Sequence, residues 1–395
     1  MRIGLRRVGT ALLFVVVAIL LAPIVAPPFL DRVYYRGPVS DHFDGARFFN
    51  PDGDMNPRQK GSRSAAGFMW RAITGRDRVA WPKHVAVAPG YPPAQATTCP
   101  PVVPGRAIEN WARCVPHPDP SRMFATWIGH STVLVQAAGL NILTDPVWSA
   151  KAGPFGLLGP RRVRDPGIRF EDLPPIDLVL VSHNHYDHMD LATLKRLWAR
   201  DRPLIVTSLG NDTILRAHGI PAQARDWGGR MLVRAAAGQS PIEVVVERVH
   251  HWGSRWGSDR NRALWSGFSV TLPGGNLFFA GDTGFGDGSW AVAAARDGPY
   301  RLAIIPIGAF QPRAMMSPSH IDPIESVEVF RRLGAANALA VHWGTFRLSE
   351  EGIDDPPALL AKELARQGIA AGRFRATEVG RPWEIPPIEG GSDGR

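Results

Sequence analysis

The sequence predicts an α/β fold, because short strand-like apolar runs alternate with turn residues and with a helical pattern. Residues 178–182 are a leucine and valine run bounded by turns, as in a strand buried on both faces. Asp190 then stands where an N-cap is expected, before Leu191, Leu194 and Leu197 at helical spacing. Similar strand-like runs occupy residues 242–249, 277–281 and 338–341. We therefore expect the chemistry in the loops that follow these strands.

The loop after residues 178–182 holds four potential metal ligands within six positions: His183, His185, Asp187 and His188. Imidazole nitrogen and carboxylate oxygen suit zinc, and a catalytic zinc keeps one coordination position open for water. A polar loop with fortuitous histidines is the alternative, which a single histidine would favour and this density of ligands does not. The motif predicts a two-metal hydrolase.

Two metals need more ligands than this loop supplies, and later parts of the chain offer candidates. His250 and His251, Asp282 and His342 each follow a strand-like run, whereas His320 lies in a polar loop. Ligands at the ends of separate strands are what a metal site on an open sheet requires. Adjacent strand residues point to opposite faces, so only one of His250 and His251 is expected to reach the metal. We interpret four other histidines as surface or packing residues: His42, His84, His117 and His218.

Seven short motifs occur in order between residues 121 and 348 and carry a family resemblance. They are WIGHST at 127–132, TDPV at 144–147, LPPID at 173–177, SHNHYDH at 182–188, FFAGDTG at 278–284, HIDP at 320–323 and VHWGTF at 341–346. Together they resemble the metallo-β-lactamase fold superfamily and, within it, the N-acylphosphatidylethanolamine-hydrolysing phospholipase D family. The resemblance implies a four-layer αββα sandwich, which we assign to residues 121–385.

The resemblance also implies how the ligands are shared between two zinc ions. It assigns His183, His185 and His251 to the first zinc, and Asp187, His188 and His342 to the second, with Asp282 bridging them. His251 is preferred to His250 because the family's ligand directly precedes a tryptophan, here Trp252. Iron or manganese would also accept these ligands.

Further roles are assigned to four residues. His320 matches a family active-site histidine that is not a metal ligand, and we predict that it donates a proton or a hydrogen bond to the leaving oxygen; a capping role for a helix near Asp322 is the alternative. Asp187 is counted with His320 as catalytic. Asp145 is expected to hold a metal-bound imidazole by its other nitrogen. His130 is expected to give similar support, or to be an ordinary buried histidine.

The implied reaction is phosphodiester hydrolysis at a membrane lipid. Two close metals lower the pKa of a shared water and stabilise charge on the attacking and leaving oxygens. The resemblance implies that a hydroxide formed in this way cleaves N-acylphosphatidylethanolamine-like lipids to phosphatidic acid and N-acylethanolamine. Hydrolysis of another ester, a lactone or a β-lactam is the alternative, as is a metal-binding scaffold without turnover.

The N-terminal residues 1–30 predict a signal anchor or a signal peptide. Arg2, Arg6 and Arg7 precede an apolar stretch at residues 8–22. We favour a retained anchor, because Ala26 is followed by two prolines rather than by a cleavage site. By the positive-inside rule, the arginines stay in the cytoplasm, so the sequence predicts a membrane-anchored protein with a periplasmic or extracytoplasmic catalytic domain.

The remaining segments are less regular. Residues 31–120 are rich in proline and glycine and predict an extension that partly packs on the catalytic domain, while residues 386–395 predict a disordered tail. Cys99 and Cys114 lack a CxxC pattern, and in an oxidising compartment they are expected to pair.

Basic residues outnumber acidic ones, with 45 Lys and Arg against 36 Asp and Glu. The basic residues are spread along the chain and do not form a stripe interleaved with aromatic residues. We therefore expect no nucleic-acid partner; the expected partners are a phospholipid substrate and a membrane. Arg161, Arg162 and Arg164 follow an apolar loop at residues 153–160, which suits an acyl chain beside an anionic head group. A solvated basic turn is the alternative. The oligomeric state stays open, a homodimer included.

Overall fold

A computed structural model describes residues 2–25, 32–53, 79–87, 122–234 and 241–388. These residues form a two-sheet α/β sandwich, in agreement with the predicted fold class. The first sheet has the strand order β14-β1-β2-β3-β4-β5-β6, and the second has the order β13-β12-β11-β10-β9-β8-β7. The two sheets therefore repeat a similar arrangement from one end of the chain to the other.

The first sheet combines an antiparallel and a parallel half. β14, β1, β2 and β3 pair in antiparallel fashion, whereas β3, β4, β5 and β6 run parallel. Its strands are β1 Met123–Gly129, β2 Thr132–Ala137, β3 Leu140–Thr144, β4 Leu178–Val181, β5 Leu204–Ser208, β6 Gln223–Arg225 and β14 Pro382–Glu384.

The second sheet is built in the same way. β7 to β10 pair in antiparallel fashion, and β10 to β13 run parallel. Its strands are β7 Arg230–Arg234, β8 Ile242–Glu247, β9 Gly267–Val270, β10 Asn276–Phe279, β11 Tyr300–Pro306, β12 Asn337–Val341 and β13 Phe374–Arg375.

Strand β4 shows how the layers pack. Leu178 and Leu180 lie in one core cluster with residues of the second sheet, such as Phe268. Val179 and Val181 point the other way, into a cluster with Leu194 of the covering helix. Alternate side chains of a strand point to opposite faces, so a continuous apolar run fills both the inter-sheet core and the helix layer.

Helices cover the outer faces of the two sheets. Asp190 caps the first covering helix by accepting hydrogen bonds from the backbone N–H groups of Ala192 and Thr193, as predicted. Asp322 and Glu325 form a capping box at the helix that follows His320. In the chain, helix α1 (Arg2–Val25) comes before the sandwich. The helices of the sandwich are α2 Leu191–Asp201, α3 Asn211–Arg216, α4 Ser289–Ala294, α5 Arg313–Met316, α6 Pro323–Leu333 and α7 Asp355–Arg366.

Residues 32–53, from the proline- and glycine-rich extension, pack on the sandwich. Phe43 and Phe48 are buried in the main core cluster. The Tyr34 hydroxyl donates to Asp259 at 2.9 Å. This part of the extension is therefore an integral layer of the catalytic body.

The predicted membrane anchor is wrong. Across the part of the chain that the structure describes, no helix has the length and apolar character needed to cross a bilayer. Helix α1 does form, but its apolar stretch at residues 8–22 is shorter than the ~20 residues that span a membrane. The anchor was the reason for placing the catalytic domain outside the inner membrane. Without the anchor, that placement is not supported.

Three expectations concern residues outside the described ranges, and one of them is the surface or packing role of His117. Cys99 and Cys114 both lie there, so their pairing stays a prediction. The same holds for the tail from residue 389 onward.

Candidate metal centre

The candidate ligands lie at one edge of the sandwich because several strands end there. β3, β4, β10 and β12 run in the same direction within their sheets, and each is followed by a candidate residue: Asp145, His183, Asp282 and His342 respectively. β8 runs in the same direction as β10, since both are antiparallel to β9, and it leads to His251. Carboxyl ends of parallel strands meet at one edge, which brings distant parts of the sequence into contact.

The first group of ligand atoms belongs to His183, His185 and His251. Nε2 of His183 lies 2.8 Å from Nδ1 of His185. Nε2 of His251 lies 3.4 Å from the same His185 nitrogen. The three nitrogens thus converge within one coordination sphere, and they match the set that the resemblance assigns to a first metal.

The second group contains Asp187, His188 and His342 and also includes His130. Their ligand atoms all lie within 4.8 Å of one another. Nε2 of His130 is 3.0 Å from Oδ2 of Asp187. His130 is therefore in direct contact with a candidate ligand and belongs to the same group of side chains.

Asp282 lies between the two groups. Its Oδ2 is 3.0 Å from Nε2 of His342 and 3.2 Å from Nε2 of His188, both of the second group. The same oxygen is 3.8 Å from Nε2 of His251, which belongs to the first. Nδ1 of His320 is also 3.8 Å away. A single carboxylate oxygen is thus in reach of both sets of histidines.

Two neighbouring histidines separate into different environments. The side chain of His251 enters the ligand group, and its Nδ1 lies 2.9 Å from the backbone oxygen of Ser319. His250 points away, with Nδ1 3.1 Å from Oδ2 of Asp52. Asp52 in turn accepts a hydrogen bond from Arg248 at 2.6 Å. The geometry places His251, and not His250, among the candidate ligands.

Asp145 supports the ligand loop from the end of β3. Its Oδ2 is 2.6 Å from Nδ1 of His188, whose other nitrogen faces Asp282. The same carboxylate accepts hydrogen bonds from the backbone N–H and the hydroxyl of Ser182 at 2.7 and 2.6 Å. A carboxylate in this position fixes the orientation of an imidazole and raises its basicity as a ligand.

Three of these residues have backbone conformations that side chains rarely adopt. His130, Asp145 and His342 have φ values of 52°, 30° and 63°. Such conformations cost of order 1–3 kcal/mol each, and they cluster at functional sites. The hydrogen bond from the His130 backbone N–H to Oγ1 of Thr345, at 2.8 Å, helps to hold one of them.

Burial sets the protonation of most of the histidines. It lowers the pKa of His183 and His251 well below the ordinary value and that of His185 to about 4. Burial also lowers the pKa of His130 and His320 to about 3. These side chains are therefore neutral near neutral pH, which is the form in which imidazole binds a metal.

His188 differs, because carboxylates surround it. Burial lowers its pKa, but Asp282, Asp187 and Asp145 outweigh that effect and raise the pKa well above the ordinary value. Three buried carboxylates around one imidazole are an excess of negative charge, and such an excess is costly unless a cation balances it.

Unpartnered buried atoms indicate that the site fits metal ions. Nε2 of His188, Nε2 of His342 and Oδ1 of Asp282 are buried and have no hydrogen-bond partner among the described residues. Buried polar atoms are almost always hydrogen-bonded, so a cluster of exceptions calls for a ligand. Nitrogen and carboxylate donors of this kind suit zinc, iron or manganese.

Exposure distinguishes the open side of the site. The side chains of Asp187 and His320 retain 14% and 13% of their accessible surface, whereas those of His188, His251, Asp282 and His342 retain at most 2%. Among the described residues of the site, Asp187 and His320 border its open side, and His185 is also partly exposed.

Sequence reasoning missed several supporting contacts. Arg255 donates to the backbone oxygens of Asn184 and Met189, both at 3.0 Å, and stacks 4.1 Å from the ring centre of Tyr186. Asp52, which holds His250, lies in a segment that the sequence presents only as a turn. Nothing local in the sequence indicates either contact, because each joins residues far apart in the chain.

Comparison with known proteins supports the same assignment of fold and family. The sequence profile of the β-lactamase superfamily domain matches residues 140–343. The chain is 37% identical over 274 residues to an N-acyl-phosphatidylethanolamine-hydrolyzing phospholipase D of Caenorhabditis elegans, a match that covers 67% of this chain and 76% of the worm protein. The chain therefore belongs to the β-lactamase superfamily and, within it, to the N-acylphosphatidylethanolamine-hydrolysing phospholipase D family.

Other relatives are more distant. The mitochondrial enzyme of the same name from Saccharomyces cerevisiae is 33% identical over 262 residues, which cover 66% of this chain and 55% of the yeast protein. A metallo hydrolase from the archaeon Ignicoccus hospitalis superposes with a TM-score of 0.50 at 20% identity over 67% of this chain and 99% of its own, and so shares the fold. The predictions of the family and of a metal-dependent hydrolase are confirmed.

Proposed function

We propose that this chain is a phospholipase D-type phosphodiesterase, which hydrolyses N-acylphosphatidylethanolamine-like lipids to phosphatidic acid and an N-acylethanolamine with two zinc ions as cofactors. The observation that carries the proposal is the position of Oδ2 of Asp282, within 3.8 Å of histidine nitrogens from both ligand groups. One carboxylate oxygen shared by two sets of imidazole nitrogens is suited to bridge two cations. The family resemblance supplies the lipid class.

The residues that would hold the two ions follow from the two groups. His183, His185 and His251 would hold the first, while Asp187, His188 and His342 would hold the second, with Asp282 between them. Bound in this way, two divalent cations lower the pKa of water and stabilise the charge that develops on phosphoryl oxygens. Asp145 would keep His188 in the tautomer whose Nε2 is free to bind.

His320 is the candidate donor to the leaving oxygen. Its imidazole borders the open side of the site, and Arg313 fixes its position by donating to the His320 backbone oxygen at 2.8 Å. Since burial lowers its pKa to about 3, the side chain carries no permanent charge. It would therefore assist departure of the alkoxide by hydrogen bonding from its one N–H group.

A cavity beside the ligand loop supports a lipid substrate. It has a volume of about 690 Å³ and is lined by Tyr186 and Met189 of the ligand loop, by Leu191 and Ile214 of the covering helices, and by Trp256. Its volume is in the range of ligand pockets, and its wall is mainly apolar. An acyl chain in this cavity would run next to the loop that holds the candidate ligands.

A substrate panel with isotopic labelling tests the proposal. Metal-loaded protein would be incubated in ¹⁸O-water with N-acylphosphatidylethanolamine, a generic phosphodiester, a lactone and a β-lactam, and the products identified by mass spectrometry. We expect phosphatidic acid that contains ¹⁸O in its phosphate group, because the attack is at phosphorus. Asp282→Ala protein, prepared in parallel, controls for contaminating hydrolases.

Three outcomes would contradict the proposal. Turnover of the lactone or β-lactam alone would indicate carbonyl chemistry at the same centre. Label in the N-acylethanolamine would indicate attack at carbon. No turnover of any compound by protein shown to contain metal would favour a binding scaffold.

A further inference from the structure

A hairpin with an apolar tip projects from the surface beside the cavity. Phe155, Leu157 and Leu158 are 81%, 68% and 62% exposed. Single exposed apolar residues are ordinary, but three large ones within four positions form a patch that calls for a partner. The tip belongs to residues 151–161, which we call the apolar hairpin.

The hairpin is a built structure and not a loose loop. Its base is closed by a bridge between Lys151 and Arg161 and by the Ala152 backbone N–H, which donates to the Pro160 oxygen at 2.9 Å. The Lys151 ammonium donates to the Leu157 oxygen at 2.8 Å, which ties the base to the tip. The tip side chains are therefore held outward at little further cost in conformational entropy when they bind.

Phe155 is the most exposed residue of the tip, and it is strained. Its φ of 58° lies in the left-handed region, where a bulky side chain is a genuine outlier. Such strain persists where the surrounding structure enforces it, and it is concentrated at binding and switching sites. A packing role does not explain this conformation, because the ring stands largely in solvent.

Positive charge lies at the base of the hairpin, where Arg161 is exposed and Lys151 partly exposed, whereas Arg162 and Arg164 turn inward and donate to backbone oxygens of residues 147, 149 and 344. Residues 151–164 contain Lys151, Arg161, Arg162 and Arg164 and no acidic residue. In an anionic lipid bilayer, acyl chains lie beneath negative head groups. The apolar tip and the positively charged residues at the base of the hairpin match these two layers. A groove on a protein partner would need no such uniform charge.

The hairpin also borders the cavity that lies beside the ligand loop. Phe155 and Gly156 line the same cavity as Tyr186 and Met189 of the ligand loop. The ring of Phe155 lies 6.1 Å from that of Trp256, which also lines the cavity. A tip that entered a lipid layer would bring the mouth of this cavity to the layer as well.

We propose that the apolar hairpin inserts its tip into the surface of an anionic lipid bilayer and so positions the cavity to take an acyl chain directly from the membrane. The bound partner is the lipid surface itself. The proposal depends on the proposed function only for the identity of the lipid that is cleaved, and insertion is measured without turnover.

A fluorophore at the tip tests insertion in the full-length chain. The native cysteines Cys99 and Cys114 are replaced by serine, and a nitrobenzoxadiazole label is attached through Leu158→Cys. The matched control carries the label through Val292→Cys, an apolar residue of α4 that is 52% exposed. Each protein is mixed with vesicles of phosphatidylcholine alone or of phosphatidylcholine with phosphatidylglycerol, and circular dichroism verifies the fold of both.

Insertion predicts a blue shift and brightening of the label at position 158 on vesicles with phosphatidylglycerol, and no change at position 292. Phe155→Ser should weaken the transition at position 158 on the order of tenfold, since a buried aromatic ring is lost. Arg161→Glu should remove the preference for phosphatidylglycerol. An unchanged label at position 158, or equal shifts at both positions, would overturn the proposal.

Kinetics separate this proposal from the proposed function. If Leu157→Ser, at a tip residue outside the cavity lining, reduces hydrolysis of vesicle lipid but leaves hydrolysis of a short-chain monomeric phosphodiester unchanged, both proposals stand. If the label inserts but no phosphodiester is cleaved by the unaltered chain, the proposed function fails alone. If vesicle and monomer hydrolysis fall equally, the hairpin acts on the site and not on the membrane, and the docking proposal fails.

Discussion

At the scale of single residues, His250 and His251 show how adjacent side chains take different roles. Strand alternation alone indicates that they point to opposite faces, but not which face holds the site. The fold decides this, because residues 51–53 bring Asp52 to His250 while β10 brings Asp282 to within 3.8 Å of His251. The choice depends on contacts between distant segments.

Substitution should separate the two histidines. His251→Ala is expected to lose bound metal, because a nitrogen is removed from the first ligand group. His250→Ala is expected to retain metal but to lower the free energy of unfolding by roughly 1–3 kcal/mol, since the partly buried Asp52 loses a partner. Elemental analysis and urea unfolding measure the two effects. Equal metal loss in both variants would contradict the assignment.

His320→Ala tests the donor role. We expect metal content to be unchanged and turnover of a lipid with a poor alkoxide leaving group to fall by roughly 10²–10⁴-fold. A p-nitrophenyl phosphodiester should be affected much less, because its leaving group needs no donor. His84→Ala, at an exposed histidine paired with Asp165, is the matched control. Equal losses with both substrates would indicate a structural role for His320.

At the scale of elements, strand ends explain most of what the sequence revealed about the site. The apolar runs before His183, Asp282 and His342 correctly indicated β4, β10 and β12, and parallel strands bring such ends to one edge. The left-handed conformations of His130 and Asp145 were not visible, because no glycine marks these positions. They are imposed by hydrogen bonds from other strands and loops.

Strand β8 carries a buried acid whose ionisation should affect stability. Burial raises the pKa of Glu247 to about 7, although a hydrogen bond from Ser269 opposes this. Because the pKa is raised in the folded protein, the folded state retains a proton that the unfolded chain loses above about pH 4.5. Stability from this group is therefore highest at low pH and falls as the pH rises toward 7.

Glu247→Gln should remove this contribution. The wild-type free energy of unfolding should fall by about 3 kcal/mol more than that of the variant between roughly pH 5 and pH 8. Urea unfolding of both proteins at the two pH values measures the difference, and metal release at low pH cancels in the comparison. Parallel pH profiles for the two proteins would show that Glu247 does not titrate as described.

At the scale of the whole molecule, sequence and structure agree on the two-sheet sandwich and differ on the N-terminal region. The apolar residues 8–22 suggested an anchor, yet no described helix meets the requirements for crossing a membrane. The packing of residues 32–53 agrees with an extension that partly packs on the catalytic domain, but Phe43 and Phe48 could not be singled out as core residues, because the segment has no periodic pattern. Their burial depends on the surface that the folded sandwich presents.

We propose that one centre, joined by Asp282, holds two metal ions. The metal content of purified protein, after loading with excess zinc and removal of unbound metal, tests this directly. We expect two zinc ions per wild-type chain and a loss of at least one in Asp282→Asn protein that remains folded. One ion or none in the wild type, or two ions retained in the variant, would contradict it.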